Sequence, residues 1–337
     1  MAIRITSIPR PSSPNSGYHP IKVAEILKDE VWAIPAIGNY IGSYSKIKFF
    51  MFDKDLFYKF TPSLLIRFFT LASIFFRSLN KSNEIFFVHS YMYALPLFIL
   101  RKKYVIIIHG TDSKHLNSYL GKMLARKSIA VFGVGFSFSS HGFSVKEIPN
   151  IFNLSSIEIK NTDEKSYDAI FVLRNAPIKN PKYPFNLYRN LEPTSNIKIS
   201  VVGLEKDFLS IDEINFLQNN KNSNSIKYFG RCSFAKVVSL MNASSSIIIP
   251  SHSEGVAKAM LEAMACGLHV IVSKKLKVPD DFKKNIIQID IDNWVEVFNT
   301  LESCKIKGSN FENINFANRY HKNSTKKLIE LYNSVLE

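Results

Sequence analysis

The chain has 337 residues, of which 46% are hydrophobic and 21% charged, so it can bury a sizeable core and is not typical of a disordered protein. Its formal net charge of +15 favours anionic partners, but the lysines are scattered and the sequence has no nucleic-acid-binding motif, so we expect no nucleic-acid partner. The three cysteines are far apart, which argues against a disulfide framework and favours a reducing compartment.

Neither a targeting segment nor a membrane-spanning helix is predicted. Residues 1–17 lack the apolar core and the cleavage site of a signal peptide. No stretch approaches the roughly 20 consecutive apolar residues that span a bilayer. The sequence therefore predicts a cytoplasmic protein.

The first half of the chain alternates short apolar runs with helical patterns. The predicted strands are AIRITSI (2–8), EIFFVH (84–89), KYVIIIHG (103–110) and IAVFGVG (129–135). Helical spacing is found in YHPIKVAEIL and in SYMYALPLFIL, which follow the first and the second of these strands. Strands separated by helices form βαβ units, and continuous apolar runs are typical of parallel sheets that are covered on both faces.

Between the first two strands lies the strongly apolar segment SLLIRFFTLASIFFRSL (63–79). On a helical wheel, one wide face carries Leu64, Leu65, Phe68, Leu71, Ala72, Phe75, Phe76 and Leu79. The opposite face carries Arg67, Thr70, Ser73, Arg77 and Ser78, and is interrupted by Ile66 and Ile74. Two interpretations stay open: a helix packed into the first domain, or an interfacial helix whose apolar face meets an anionic membrane surface.

The alternation of strands and helices begins again near residue 167. The predicted strands are YDAIFVLRN (167–175), IKISVVGLE (197–205), IKYFG (226–230), SIIIPS (246–251) and HVIVS (269–273). The polar segment 153–167 separates the two halves. The sequence therefore predicts two α/β domains, over residues 1–155 and 156–312, with ligands bound beyond the carboxyl ends of the strands.

Two glutamates stand out in SHSEGVAKAMLEAMACGLHVI (251–271). If a helix begins near Val256, Glu254 lies in the loop before it and Glu262 about 12 Å further along its axis. The helix-start amides of Gly255 and Val256 favour an anion between the two carboxylates, and Gly255 lets the backbone approach it closely. Hydroxyl-binding carboxylates on either side of an anion site match a nucleotide sugar, in which a diphosphate joins a sugar to a ribose. The alternative is that Glu262 is a solvated residue on a helix surface.

This segment resembles the E-x7-E signature of GT-B glycosyltransferases, most closely that of the retaining enzymes of family 4. The matching residues are Pro250, Ser251, Glu254, Gly255, Leu261, Glu262, Ala263, Met264, Ala265, Gly267, Val270 and Ile271. The chain departs from the family pattern at Ala257 and Lys258, and at His269, where the family usually has proline.

Arg174 and Lys179, five positions apart in FVLRNAPIKN, resemble the cation pair that follows the first strand of the family's second domain. The resemblance implies that they neutralise the diphosphate as it leaves; the alternative is two solvated loop cations. Leu173 and Asn180 stand where the family usually has glycines.

The first half resembles the family at the ends of its strands. His109 resembles a histidine that faces the transferred sugar or the acceptor, although such histidines are otherwise capping or structural residues, and for His89 we favour the structural role. Gly17 alone remains of the glycine-rich loop that normally follows the first strand. Gly230 matches the glycine of the family's strand, glycine and small helix ahead of the motif.

The resemblance implies the GT-B fold, two Rossmann-like doubly wound α/β domains that face a central cleft, with a helix over residues 313–337 that crosses back to the first domain. It implies a retaining hexosyltransferase that moves a hexose-type sugar from a nucleotide-sugar donor to a glycan or lipid-linked glycan, as in the assembly of cell-surface polysaccharides or glycoconjugates. A UDP-sugar is expected ahead of a GDP- or ADP-sugar. The implied catalytic residues are His109, Arg174, Lys179 and Glu254, and the implied donor-binding residues are Gly17, Gly230, Gly255, Val256 and Glu262.

Other functions of the same fold stay open: a sugar-nucleotide epimerase or hydrolase that needs no acceptor, and a catalytically silent binder of sugar nucleotides or glycans. We expect no metal or other cofactor. The acidic pairs Asp53/Asp55 and Asp290/Asp292 do not follow a glycine-punctuated nucleotide-binding unit, so we interpret both as surface turns. A lipid-linked acceptor would place the enzyme at the inner face of the membrane.

Overall fold

The structure of the protein is a computed structural model that describes residues 2–8, 18–35, 47–49, 63–109, 116–135, 138–140, 143–159, 165–190, 196–204, 209, 212–213, 225–253 and 256–336. The chain divides into two compact units. Unit 1 comprises Met1–Ile151 and Asn323–Glu337, and unit 2 comprises Phe152–Lys322. Each unit is built on its own sheet.

Unit 1 contains an eight-stranded sheet in the order β3-β2-β1-β4-β5-β6-β8-β7. Its strands are β1 Ala2–Ile8, β2 Glu30–Pro35, β3 Ile47–Phe49, β4 Ile85–Val88, β5 Tyr104–His109, β6 Ala130–Val134, β7 Phe138–Ser140 and β8 Phe143–Ile148. Neighbouring strands pair in parallel, except for the antiparallel pair of β7 and β8. The helices are α1 Tyr18–Leu27, α2 Ser63–Ser78, α3 Ala94–Ile99 and α4 Tyr119–Lys127.

Unit 2 contains a six-stranded parallel sheet in the order β11-β10-β9-β12-β13-β14. Its strands are β9 Tyr167–Val172, β10 Ile199–Val202, β11 Ile226–Gly230, β12 Ser244–Ile249, β13 His269–Ser273 and β14 Ile286–Ile289. The helices are α5 Tyr183–Asn190, α6 Phe234–Asn242, α7 Lys258–Ala265, α8 Trp294–Lys307 and α9 Phe311–Leu336. The predicted class, two α/β domains built on parallel sheets, is confirmed.

The central strands of unit 2 are covered on both faces, as their continuous apolar sequences predict. All residues of β12 are buried. Ile247 and Ile249 belong to one core, which includes α7, while Ile248 belongs to a second core on the other face of the sheet. Successive side chains of a strand point to opposite faces, so one short apolar run contributes to both cores. Burying each isoleucine contributes about 1.5–3 kcal/mol.

Helix α9 begins in unit 2, where two polar contacts hold its start beside β13. His269 donates from Nε2 to the carbonyl oxygen of Gly308 (3.0 Å), and its Nδ1 accepts from the side-chain amide of Asn310 (3.2 Å). Because a carbonyl oxygen can only accept, this arrangement assigns the proton to Nε2. His269 therefore has a structural role at the position where the family usually has proline.

The second half of α9 packs on unit 1 through a buried arginine. Arg4 in β1 is fully buried, and its Nε donates to Oδ2 of Asp29 at 2.8 Å. Its guanidinium carbon lies 4.6 Å from the ring centroid of Phe87 and 4.3 Å from that of Tyr332, which belongs to α9. A guanidinium between two aromatic faces is favourable where water is excluded, so this charge holds the helix against the sheet.

Helix α2 buries a different face from the one that its apolar wheel predicts. Ile74 and Ser78, both placed on the polar side of the wheel, are fully buried. Phe68 and Phe76, placed on the apolar side, are 64% and 67% exposed, and Leu79 just after the helix is also exposed. Of the two interpretations of this helix, packing into the first domain does not apply to these three side chains. Ile74 instead joins the core formed by β1, β4 and β5.

We expect Arg4→Met to lower the free energy of unfolding by about 3–5 kcal/mol, because it leaves the buried Asp29 carboxylate without its cation. The double variant Arg4→Met/Asp29→Leu should recover much of this loss. Chemical denaturation followed by circular dichroism measures both. Lys283→Met is the matched control, since it breaks an ion pair to Asp280 that lies in solvent. A loss no larger than that of the control would show that the buried pair does not hold the unit together.

Candidate functional site

The strand order of unit 2 reverses between β9 and β12. From β9 the chain builds outward to β10 and β11, and from β12 it builds in the other direction to β13 and β14. Open α/β sheets bind ligands at such a reversal, beyond the carboxyl ends of the two strands. The segments that leave these ends are 173–180 after β9 and 250–257 after β12, and they contain five of the predicted site residues.

Arg174 and Lys179 lie in one tight turn after β9. The carbonyl oxygen of Arg174 accepts from the amide of Ala176 at 2.8 Å, and a 3-10 helix follows at Pro177–Lys179. Asn180 ends this helix in the left-handed region, with φ of 50°. Glycine and asparagine are the residues that adopt this conformation most readily, so the conformation explains why asparagine can replace the family's glycine here. Arg174 is exposed and Lys179 half-buried.

A backbone hydrogen bond joins this turn to the loop that follows β12. The amide of His252 donates to the carbonyl oxygen of Ile178 at 2.9 Å. The neighbouring Ser251 is buried, while His252 itself is exposed. The contact brings the cation turn beside the segment that leads to Glu254 and Gly255, which themselves lie outside the described residues.

Close backbone packing fixes the exit of β9 from its other side. The amide of Leu173 donates to the carbonyl oxygen of Val202, and the amide of Gly203 donates to that of Gly230 at 2.7 Å. Gly203 has φ of +94°, and a Cβ atom there would lie 2.1 Å from the carbonyl oxygen of Leu173. Only glycine permits this approach. The predicted donor-binding Gly230 thus ends β11 and contacts Gly203, which in turn lies against the Leu173 backbone that leads into Arg174.

Helix α7 begins at Lys258, two residues later than expected. Val256 precedes the helix and its side chain packs into the core of unit 2, while the contact of its backbone amide with an anion stays a prediction. The helix connects two parallel strands and so runs against them, which puts its first turn at the same sheet edge as Arg174 and Lys179. The first turn of a helix favours an anion.

Glu262 lies in the second turn of α7 and is 5% exposed, so the alternative of a solvated surface glutamate is wrong. Burial raises the pKa of its carboxyl to about 7, although Lys258 opposes this shift. Lys258 lies one helical turn earlier and is half-buried. Burial lowers the pKa of its ammonium to about 8, and Glu262 opposes that shift. The pair places one positive and one negative group, both poorly hydrated, at the start of the helix.

Lys258 is the residue that the sequence analysis left without a role. Residues four apart on a helix are neighbours on one face, so the spacing of Lys258 and Glu262 is itself a signal for their interaction.

In unit 1 the strand order reverses between β1 and β4. His89 directly follows β4, and its amide donates to the carbonyl oxygen of Ile5 in β1 at 2.9 Å. Its side chain contacts that of His109, the last residue of β5, with Nδ1 and Nε2 3.1 Å apart. The structure thus joins a predicted site residue to the histidine for which we favoured a structural role. Gly17 lies outside the described residues.

Among the described residues, no group of three or more His, Cys, Asp or Glu side chains is placed to hold a metal ion. Asp290 and Asp292 each pair with a lysine instead, Lys274 and Lys275. These ion pairs agree with a surface turn. Asp53 and Asp55 fall in a part of the chain that the structure does not describe.

Comparisons with known proteins show what unit 2 is similar to in sequence and what the whole chain is similar to in fold. Residues 154–314 match the family Glycosyl transferases group 1. No curated protein is similar to the chain in sequence. The match lies entirely within unit 2 and spans β9 to β14, so unit 2 is similar to a glycosyltransferase group 1 domain.

Solved structures are similar over the whole chain. Sucrose-phosphate synthase from Thermosynechococcus elongatus has 12% sequence identity and a TM-score of 0.65, over 100% of this chain and 96% of that chain. Alr3699/HepE from Anabaena, in complex with UDP and glucose, has 15% identity and a TM-score of 0.67, over 99% and 98%. An alpha-glucosyltransferase in complex with UDP and a 13-mer DNA has 12% identity and a TM-score of 0.68, over 100% of both chains. At such identities the likeness shows the fold, which is GT-B. The chain therefore has the GT-B fold, and its second unit matches a glycosyltransferase family model.

Gly203→Ala should destabilise the protein more than Gly308→Ala does. Both glycines have positive φ, but a Cβ at Gly308 would meet no atom within 4 Å, whereas at Gly203 it would collide with the Leu173 carbonyl. The collision adds about 1–3 kcal/mol to the backbone strain that both variants carry. Thermal unfolding of the two variants side by side measures the difference. If both variants lose the same stability, the backbone at Leu173 can move away from residue 203 without a cost in free energy.

Proposed function

We propose that the protein is a retaining hexosyltransferase that takes its sugar from a nucleotide-sugar donor and transfers it to a glycan or lipid-linked glycan. The observation that carries this proposal is the hydrogen bond between His252 and Ile178, which holds the turn of Arg174 and Lys179 beside the loop leading to α7. Two cations and a helix start then lie at one sheet edge, an arrangement suited to a diphosphate. A UDP-sugar is favoured because the similar Anabaena protein binds UDP-glucose.

The proposed roles divide the donor among these groups. Arg174 and Lys179 stabilise the charge that grows on the diphosphate as the glycosidic bond breaks. Glu254 accepts hydrogen bonds from hydroxyls of the transferred sugar, and Glu262 accepts them from the ribose. His109 orients the transferred sugar. The backbone at Gly255 and Val256 contacts the phosphates, and Gly230 and Gly17 leave space for the nucleotide.

The configuration of the anomeric carbon is retained if the acceptor attacks the same face of the sugar that the diphosphate leaves. The bond between the anomeric carbon and the phosphate oxygen breaks first, and the short-lived cation is captured by the acceptor hydroxyl, whose proton passes to the leaving phosphate. Such a reaction needs no nucleophile from the protein and no metal if the cations hold the diphosphate. Exclusion of water would then protect the donor from hydrolysis.

Turnover on a panel of UDP-, GDP- and ADP-sugars, with and without glycan acceptors, tests the proposed function. We expect release of the nucleoside diphosphate to require an acceptor and to fall strongly in Lys179→Ala, because the charge that Lys179 faces is largest in the transition state. Lys198→Ala is the control, since this exposed lysine precedes β10 at the opposite edge of the sheet. Release without any acceptor would instead indicate a hydrolase or epimerase, and binding without release a silent binder.

Glu262→Gln should remove the pH dependence of donor binding. The ionised carboxylate is the stronger acceptor for ribose hydroxyls, and its pKa of about 7 predicts that affinity rises as the pH increases through neutrality. In Glu262→Gln, affinity should be lower by about 1.5–3 kcal/mol at pH 8 and should no longer rise between pH 6 and 8. Calorimetry with the preferred nucleoside diphosphate sugar measures this. Unchanged affinity in the variant would remove Glu262 from the site.

We further propose that α2 attaches the enzyme to the inner face of an anionic membrane, where a lipid-linked acceptor resides. Phe68, Phe76 and Leu79 form an exposed apolar surface, and the exposed Ile99 belongs to α3, which packs against α2. Lys102 borders this surface, since its ammonium contacts the carbonyl oxygen of Leu79 at 3.3 Å. Arg77 lies in the last turn of α2. No helix in the described part of the chain is long and apolar enough to cross a bilayer.

Flotation with vesicles tests this attachment. The wild-type protein should float with vesicles that contain anionic lipid and dissociate in part at high salt, since charges near the surface contribute about 1 kcal/mol each and are screened by salt. Phe68→Asp/Phe76→Asp should abolish flotation without lowering the melting temperature, because both side chains are exposed. Ile306→Asp is the matched control, a substitution of an exposed apolar residue in α8. Equal flotation of all variants would exclude α2 as the contact.

A further inference from the structure

His89 occupies the strand reversal of unit 1 and is almost fully enclosed, with 7% of its surface exposed. Its backbone is fixed on one side by the hydrogen bond to Ile5 of β1. Its side chain reaches to the other side, where β5 ends at His109. The backbone of His109 is in register with Val134 of β6, so His109 ends a paired strand, and His89 directly follows one.

The two imidazole rings make a defined contact. Nδ1 of His89 lies 3.1 Å from Nε2 of His109, and the rings are inclined by 25° with their centroids 5.4 Å apart. At this distance one nitrogen must donate and the other accept, so the two facing nitrogens share a single proton. A proton on each would set two N–H donors against each other.

We propose that His89 is a positioning residue that fixes the tautomer and the ring orientation of His109 for sugar transfer. The proposal rests on the proposed function, in which His109 contacts the transferred sugar. Because Nε2 of His109 is engaged by His89, the protonation of His109 follows from that of His89. Which ring nitrogen of a histidine carries the proton decides what its other nitrogen can donate or accept, so His89 sets how His109 meets a sugar hydroxyl.

The structural histidine of unit 2 provides the contrast. Both ring nitrogens of His269 bond to the segment between α8 and α9, and neither contacts a predicted site residue. His89 differs because its ring bonds the ring of a candidate site residue. A histidine that served packing alone would not need a nitrogen directed at His109.

Nitrogen-15 spectra of the full-length protein labelled at histidine test the contact itself. In the wild type we expect complementary protonation: where Nδ1 of His89 carries the proton, Nε2 of His109 does not, and the reverse. His89→Leu should release His109 into a mixture of tautomers, while His89→Asn, whose amide group can replace Nδ1, should preserve one tautomer. The signals of His269 serve as the internal control and should be identical in all three proteins. Protons on both facing nitrogens of the wild type, or on neither, overturn the proposal without any variant.

Kinetics test the consequence for transfer. His89→Leu should lower kcat about ten- to hundredfold with KM for the donor unchanged, because a misplaced orienting group acts mainly on the transition state. His89→Asn should restore most of the rate. A loss of rate that His89→Asn does not restore, or that appears as a rise in KM, overturns the proposal. If His89→Leu does not fold, the wild-type spectrum and the rate of His89→Asn decide whether His89 positions His109.

If the wild type consumes no nucleotide sugar, the proposed function fails, and the spectra still decide whether His89 fixes His109.

Discussion

The candidate donor site depends on the parallel pairing of β9 with β12. Ala169 and Ile170 are in register with Ser246 and Ile247, and this pairing joins two strands that are more than seventy positions apart in the chain. It creates the reversal of strand order and brings two separate loops to one sheet edge. Without it, the cation turn after β9 and the glutamate segment after β12 would belong to unrelated surfaces.

Close backbone contacts around the ends of β9 and β12 fix the geometry of the candidate site. Gly203 lets the carbonyl oxygen of Leu173 approach the end of β10, and the His252 amide holds the turn from the other side. These contacts fix the backbone of the turn that carries the two cations Arg174 and Lys179. Preorganised groups of this kind stabilise a developing charge without rearranging when the reaction occurs, which is why such rigidity suits transfer of a sugar from a diphosphate.

Each unit buries charged side chains, Arg4 in unit 1 and the pair of Lys258 and Glu262 in unit 2. Arg4 has an anionic partner and two aromatic rings, and it ties α9 to the sheet of unit 1. Lys258 and Glu262 oppose each other's shifts, yet burial still moves the pKa of each toward neutrality. Burial likewise raises the pKa of Asp29 although Arg4 opposes this shift, so in both units the ionic partner offsets only part of the cost of burying the charge.

The sequence by itself determined the α/β class, the central strands of both sheets and the candidate residues at their ends. These features depend on continuous apolar runs and short motifs, which consist of residues that are close together in the chain. The sequence analysis missed β2, β3, β7, β8 and β14; of these, β3, β7 and β14 have only three or four residues, and β8 has only two buried positions. Only the tertiary structure decided which face of α2 is buried, how deeply Glu262 is covered, and that Ile178 meets His252 and His89 meets His109. Those contacts join segments distant in the chain, so they depend on how whole elements pack and leave no signal in the local sequence.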